Sequence, residues 1–150
     1  MTATGSLELA RFPLPVRDCV EGFIHVRAPA RFLLLRRTPD RGGFWQPVSG
    51  SVEPWDRDLP SAMLREVAEE TGFREGVRVD PVGWGLQFPG PNGRTFRSHT
   101  FAVEVPQLRP PRLSDEHDAF RWCTLSEALA TLHWPDNREG LRRLAFRSGL

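Results

Sequence analysis

The stretch Gly50–Phe73, GSVEPWDRDLPSAMLREVAEETGF, constrains this chain more than any other. A Gly turn at Gly50 leads into a predicted helix from about Pro60 to Thr71. Pro60 suits the first turn, Asp58 or Leu59 the cap, and Gly72 the stop. Met63, Leu64 and Val67 mark its apolar side, while Glu66, Glu69 and Glu70 fall at i, i+3 and i+4 on one face. These carboxylates repel one another and face the negative end of the helix dipole, each effect costing from a few tenths to about 1 kcal/mol. A solvated acidic face with an Arg65–Glu69 ion pair would explain the helix alone. The neighbouring Gly turn adds a second reading, because hard divalent cations such as Mg²⁺ are held by a few carboxylates plus substrate phosphates.

The remaining segments predict strands with few helices. Val16–Arg27 alternates, with Val20, Phe23 or Ile24 and Val26 apolar, and Arg31–Arg37 is an apolar run with charged ends. Further strands are expected near Val77–Val82 and Gly83–Phe88, at Thr95–Val105 and at Ala119–Thr124, with PGPNGR (Pro89–Arg94) as a hairpin-type connector. Helices follow at Leu125–Leu132, capped by Thr124 or Ser126, and at Pro135–Arg147. Loose order is expected for residues 1–10. No repeat or second domain is visible, so the expectation is one α/β (mixed α+β) domain over residues 1–150, large enough for a real core.

Charge and cysteine usage exclude several classes. The formal net charge of +1 gives no global field toward nucleic acid or membrane, and neither is expected as a partner. All 20 basic residues are Arg, which removes Lys as a catalytic base or Schiff-base nucleophile and leaves planar forks suited to phosphate. Cys19 and Cys123 match no metal spacing and read as free thiols. No apolar run approaches the ~18 residues of a membrane span, and the N-terminus shows no signal-peptide pattern. A cytoplasmic protein is the expectation.

Gly50, Asp56, Arg65-Glu66-Val67-Ala68-Glu69-Glu70 and Gly72-Phe73 together resemble the Nudix box, the signature of hydrolases that cut a nucleoside diphosphate linked to another group. The second half of the box matches throughout. The first half departs at three points: Asp56 stands for Glu, the spacer to Arg65 is one residue longer, and Trp55 occupies a place where Gly is common. The resemblance implies a mixed β-sheet sandwiched between helices. It also implies Glu66, Glu69, Glu70 and the Gly50 carbonyl as ligands of Mg²⁺ or Mn²⁺, and Arg65 as the orienting partner of a glutamate, with Glu69 or Glu53 the candidates.

Phosphoanhydride hydrolysis needs charge neutralisation at phosphate, a base for water, and a hold on the rest of the substrate. Outside the box, Glu116 and Glu104 are candidate bases, and His99 and His117 weaker ones. Phe44–Glu53, AMLREVAEE, Glu116-His, Phe120-Arg-Trp and Trp134-Pro-Asp-Asn-Arg138 resemble the bacterial dATP pyrophosphohydrolase branch, whose members also act on dihydroneopterin triphosphate. That likeness implies that Glu116 joins the metal cluster, and that a nucleotide or pterin triphosphate is cleaved to monophosphate and pyrophosphate. Trp45 and Trp84 are candidates to stack on a ring, and Arg36, Arg37, Arg94 and Arg97 to meet phosphates; a core or surface role is the alternative for each. The other functional readings are a diadenosine tetraphosphate hydrolase and a non-catalytic Nudix-fold nucleotide-binding module. The intact Arg-Glu-Val-Ala-Glu-Glu run argues against the last. A homodimer is compatible with the sequence.

Overall fold

A computed structural model describes residues 16–150, apart from the side chain of Pro91. The segment 1–10, expected to be loosely ordered, lies outside the described residues. Strand β1 (Val16–Arg27) is the centre of an eight-stranded mixed sheet. On one edge it runs parallel to β7 (Thr95–Glu104), in register from Val16–Thr95 to His25–Glu104. Its other edge is divided between two antiparallel partners. Cys19–Gly22 pair with β4 (Val48–Ser51), and Ile24–Arg27 pair with β2 (Ala30–Arg37). Past this fork β2 takes β3 (Trp45–Gln46) and, on its far edge, β8 (His117–Cys123). The short strands β5 (Arg78–Pro81) and β6 (Gln87–Pro89) close the free edge of β7, and each ends in a proline that an edge strand tolerates.

Both faces of the sheet are covered, which explains the continuous apolar run of β2. Val20, Ile24, Val26, Leu33 and Leu35 point to one face and pack with Ala62, Met63 and Val67 of α1 (Leu59–Thr71). Phe23, Phe32 and Leu34 point to the other and pack with α2 (Leu125–Thr131) and α3 (Pro135–Ser148) through Ala128, Leu141 and Leu144. The expected mixed sheet between helices is therefore the observed one. Asp58 caps α1 by accepting a bond from the Ser61 N–H at 2.8 Å, and Gly72 ends it in the left-handed region at φ 78°. At α2, Thr124 and Glu127 form a reciprocal capping box.

Two expectations are corrected. Gly50 does not sit in a turn; it lies within β4, opposite Val20. The strand expected at Gly83–Phe88 shortens to β6. Gly83 is left-handed at φ 80°, and a Cβ at Gly85 would overlap the Ser98 carbonyl, so this stretch keeps only isolated bonds to β7, such as Thr100 N–H to the Trp84 carbonyl at 3.1 Å.

Gly22 sets how closely α1 approaches the sheet. A Cβ there would lie 2.7 Å from Met63 Sδ and 2.8 Å from Val103 Cγ2. Met63 can swing aside, but the branched Val103 cannot. Gly22→Ala is expected to lower stability by about 1–3 kcal/mol, the usual range for overpacking, read as a drop in the urea midpoint at unchanged slope.

Candidate active site

The buried face of α1 carries two acids among its apolar residues: Glu66 and Glu70, only 8 % and 3 % exposed, lie one turn apart beside Met63 and Val67. The approach of β4 explains the space they occupy. A Cβ at Gly50 would collide with the Glu66 carboxylate, so the side chain fills room that only a glycine leaves. Glu70 Oε1 is buried with no hydrogen-bond partner among the described residues. Burial, and then the neighbouring carboxyl groups of Glu66 and Glu116, push the Glu70 carboxyl well above the ordinary range. Burial also raises Glu66, against the opposing pull of Arg65. The third acid behaves differently: the Glu69 side chain is 57 % exposed on the flank of the helix. The three carboxylates thus do not share one face; two point inward and one borders them.

Arg65 ties the loop, strand and helix together. Its guanidinium donates from Nε and Nη2 to the two oxygens of Asp56 at 2.9 and 2.8 Å, a bidentate fork. It also donates to the Ser51 carbonyl at 3.0 Å and to Glu66 at 3.0 Å, with Glu69 at 3.4 Å. Asp56 accepts in addition from the Glu53 N–H at 2.8 Å. The orienting partner is therefore Asp56 together with Glu66, while Glu53 faces Arg17 at 4.0 Å. The longer spacer is absorbed in the loop, where Trp55 is 73 % exposed.

The loop after β7 is pinned over the C-terminal end of α1 by a bond from Arg112 N–H to the Thr71 carbonyl at 2.8 Å, and joined to β2 by Thr38 N–H to the Glu116 carbonyl at 3.1 Å. This brings Glu116 close enough for its charge to bear on Glu70. On the opposite face of the sheet from α1, a cleft of about 530 Å³ runs from Ser49–Ser51 to Trp84, Phe88, Phe96 and Trp134. That volume suits a small ligand.

A family model described as the NUDIX domain matches residues 21–144. The chain belongs to the Nudix family. Among the proteins it resembles are some named for pyrophosphohydrolase activity. One relative is the CTP pyrophosphohydrolase of Escherichia coli K12, 32 % identical over 100 residues that cover 65 % of this chain and 70 % of that protein. Another is an octanoyltransferase of Myxococcus xanthus, 38 % identical over 136 residues; the match takes in 87 % of this chain but only 37 % of that protein's length. Among solved structures, the E. coli dihydroneopterin triphosphate pyrophosphohydrolase superposes with a TM-score of 0.75 at 25 % identity, over 91 % of this chain and 98 % of that one.

Among the described residues, no group of three or more His, Cys, Asp or Glu side chains forms a ready-made cage. Mg²⁺ does not require one: it keeps much of its water and takes one or two carboxylates plus substrate phosphates. The inward pair Glu66–Glu70, the orphaned Glu70 oxygen and the close backbone of Gly50 fit that demand.

Other expected residues of the Nudix site lie elsewhere. Trp45 does not line the cleft; it packs beside the α2–α3 core with Arg36 over its ring at 5.8 Å. Arg36 is paired to Asp118 at 2.8 Å, and Arg37 donates to the Arg41 carbonyl at 3.1 Å. Arg97 and His99 both bind Asp18, and Glu104 is held by Arg27 at the far end of β7. His117 is buried against Gln46 at 3.3 Å, and burial lowers its pKa to about 4, so it is neutral at pH 7. Trp84, in contrast, lines the cleft. Cys19 and Cys123 are free thiols. No helix among the described residues is long and apolar enough to cross a membrane.

Proposed function

We propose that this domain is a metal-dependent pyrophosphohydrolase that cleaves a nucleoside or pterin triphosphate to monophosphate and pyrophosphate by attack of water. The observation that carries the reading is the buried Glu66–Glu70 pair, with the Glu66 carboxylate pressed against Gly50 of β4, a residue that also lines the aromatic-walled cleft on the other face of the sheet. Glu66, Glu70, Glu116 and the Gly50 backbone would hold Mg²⁺ or Mn²⁺, with Glu69 bordering them. A divalent ion there supplies the positive charge that phosphate oxygens need. Arg65 holds the Glu66 carboxylate in place while remaining bonded to Asp56. The cleft seats the ring and keeps water from one side of it. Glu116, on the loop that brings its charge to bear on Glu70, would take the proton of the attacking water.

Purified protein is incubated with Mg²⁺ or Mn²⁺ and a panel of nucleoside triphosphates, dihydroneopterin triphosphate and diadenosine tetraphosphate, and products are separated by chromatography. Pyrophosphate plus a monophosphate is the expected result. ATP released from diadenosine tetraphosphate in preference would select a dinucleoside polyphosphate hydrolase. No turnover by folded protein on the whole panel would overturn the hydrolase reading in favour of a binding module. Within the expected result, Glu116→Gln lowers kcat by about 10²–10⁴-fold with little change in KM, the signature of a lost general base. A wild-type kcat removes Glu116 from the reaction.

A further inference from the structure

We propose that Glu21 reads the ring of the ligand and selects the 2-amino-4-oxopyrimidine edge shared by guanine and pterins. The inference rests on the proposed function for the phosphate half of the ligand; the ring half stands on the chemistry of the cleft.

The cleft walls are aromatic, with Phe88 and Phe96 stacked at 5.7 Å, yet the charged side chains lining it are two acids, Glu21 and Asp136. No Arg or His lines it, in a chain with 20 arginines. The charged groups that a ring meets in this space are acceptors and none is a cation, so an edge that turns donors toward them is favoured over one that turns carbonyls toward them. Glu21 sits on β1, on the face toward α3. Its Oε2 accepts from Asn137 Nδ2 at 3.0 Å, while Oε1 accepts no bond from any described residue. Asn137, 9 % exposed, is thus a positioning residue. Burial pushes the Glu21 carboxyl up to about 7, with Asp136 adding to the rise and Asn137 opposing it, so its charge is poorly compensated without a ligand.

A carboxylate offers about four lone-pair sites. With one used by Asn137, Glu21 can still take two parallel N–H bonds, one on each oxygen. Guanine and pterins present that pair, a ring N–H beside an exocyclic amine, in the same fork geometry by which arginine binds a carboxylate. Adenine and cytosine set their amine beside a ring acceptor, and uracil sets its single N–H between two carbonyls. Each of these would turn an acceptor toward Glu21.

The test is calorimetric binding of GMP, IMP, AMP and neopterin monophosphate to the wild-type protein, which needs no turnover. IMP differs from GMP only by the missing 2-amino group. GMP or neopterin monophosphate is expected to bind about tenfold or more tighter than AMP, and GMP about fivefold or more tighter than IMP, a loss typical of a site left with an unpaired polar group. Whichever of GMP and neopterin monophosphate binds tighter names the source. In Glu21→Gln, checked for folding by circular dichroism, the GMP-to-IMP ratio is expected to fall to near unity. Equal binding of GMP and IMP by the wild type, no binding of either, or an unchanged ratio in Glu21→Gln overturns the inference. A protein that hydrolyses all triphosphates alike keeps the proposed function and loses this one. One that prefers GMP to IMP but hydrolyses nothing does the reverse.

Discussion

Glu70→Gln is expected to leave a folded protein whose hydrolysis falls at least about a thousandfold, equivalent to about 4 kcal/mol of transition-state stabilisation. The substitution keeps the volume of a side chain that is 3 % exposed and removes the charge that would face a divalent ion. Stability should move the other way. The folded-state pKa of Glu70 is raised, so its favourable contribution is complete below the unfolded carboxyl value and is lost as pH rises through the folded value. Glutamine is neutral throughout. Without metal, the variant's Tm should therefore equal or exceed that of wild type at about pH 8, and the difference should close toward about pH 4. Added Mg²⁺ should raise the Tm of wild type and not of the variant. Turnover at the wild-type level would remove Glu70 from the site.

Arg65→Ala should cost more stability than any change on the exposed flank of α1. Asp56, with its side chain 4 % exposed, would keep only the Glu53 N–H, and the Ser51 carbonyl would lose its side-chain donor. Leaving a carboxylate nearly buried without its cation costs about 2–4 kcal/mol. Glu66 would be freed from the same fork, so activity should fall as well. The double variant Asp56→Asn, Arg65→Ala should recover part of the stability and none of the activity. If the single Arg65→Ala variant melts within about a degree of wild type, the fork is not what holds the loop to the helix.

Legibility from sequence followed how local the cause was. The sequence reading puts β1 at Val16–Arg27, where it lies, because Val20, Phe23 or Ile24 and Val26 mark an alternating apolar series there. The start of α1 differed by one residue and its glycine stop by none. Gly50 was misread because glycine signals a turn, whereas its strand position is set by pairing with Val20, thirty residues earlier in the chain, and by the Glu66 carboxylate filling the space of a Cβ. The Asp56–Arg65 fork depends on how the loop folds back, which spacing alone does not specify. Glu21 left a signal that was overlooked: along β1 it shares an orientation with Phe23, which is fully buried, and an acid at such a position asks for a reason.

The division of β1 between β4 and β2 carries a consequence for how such a protein changes over time. The acid pair lies on the α1 side of the sheet and the ring cleft on the α3 side, and the two meet at the short β4 strand, around Gly50. Substitutions on one side should combine nearly additively with substitutions on the other wherever the two share no neighbour. The ring-reading wall is then free to be rewritten for a new substrate while the cutting wall stays as it is, with the strand between them acting as a bulkhead.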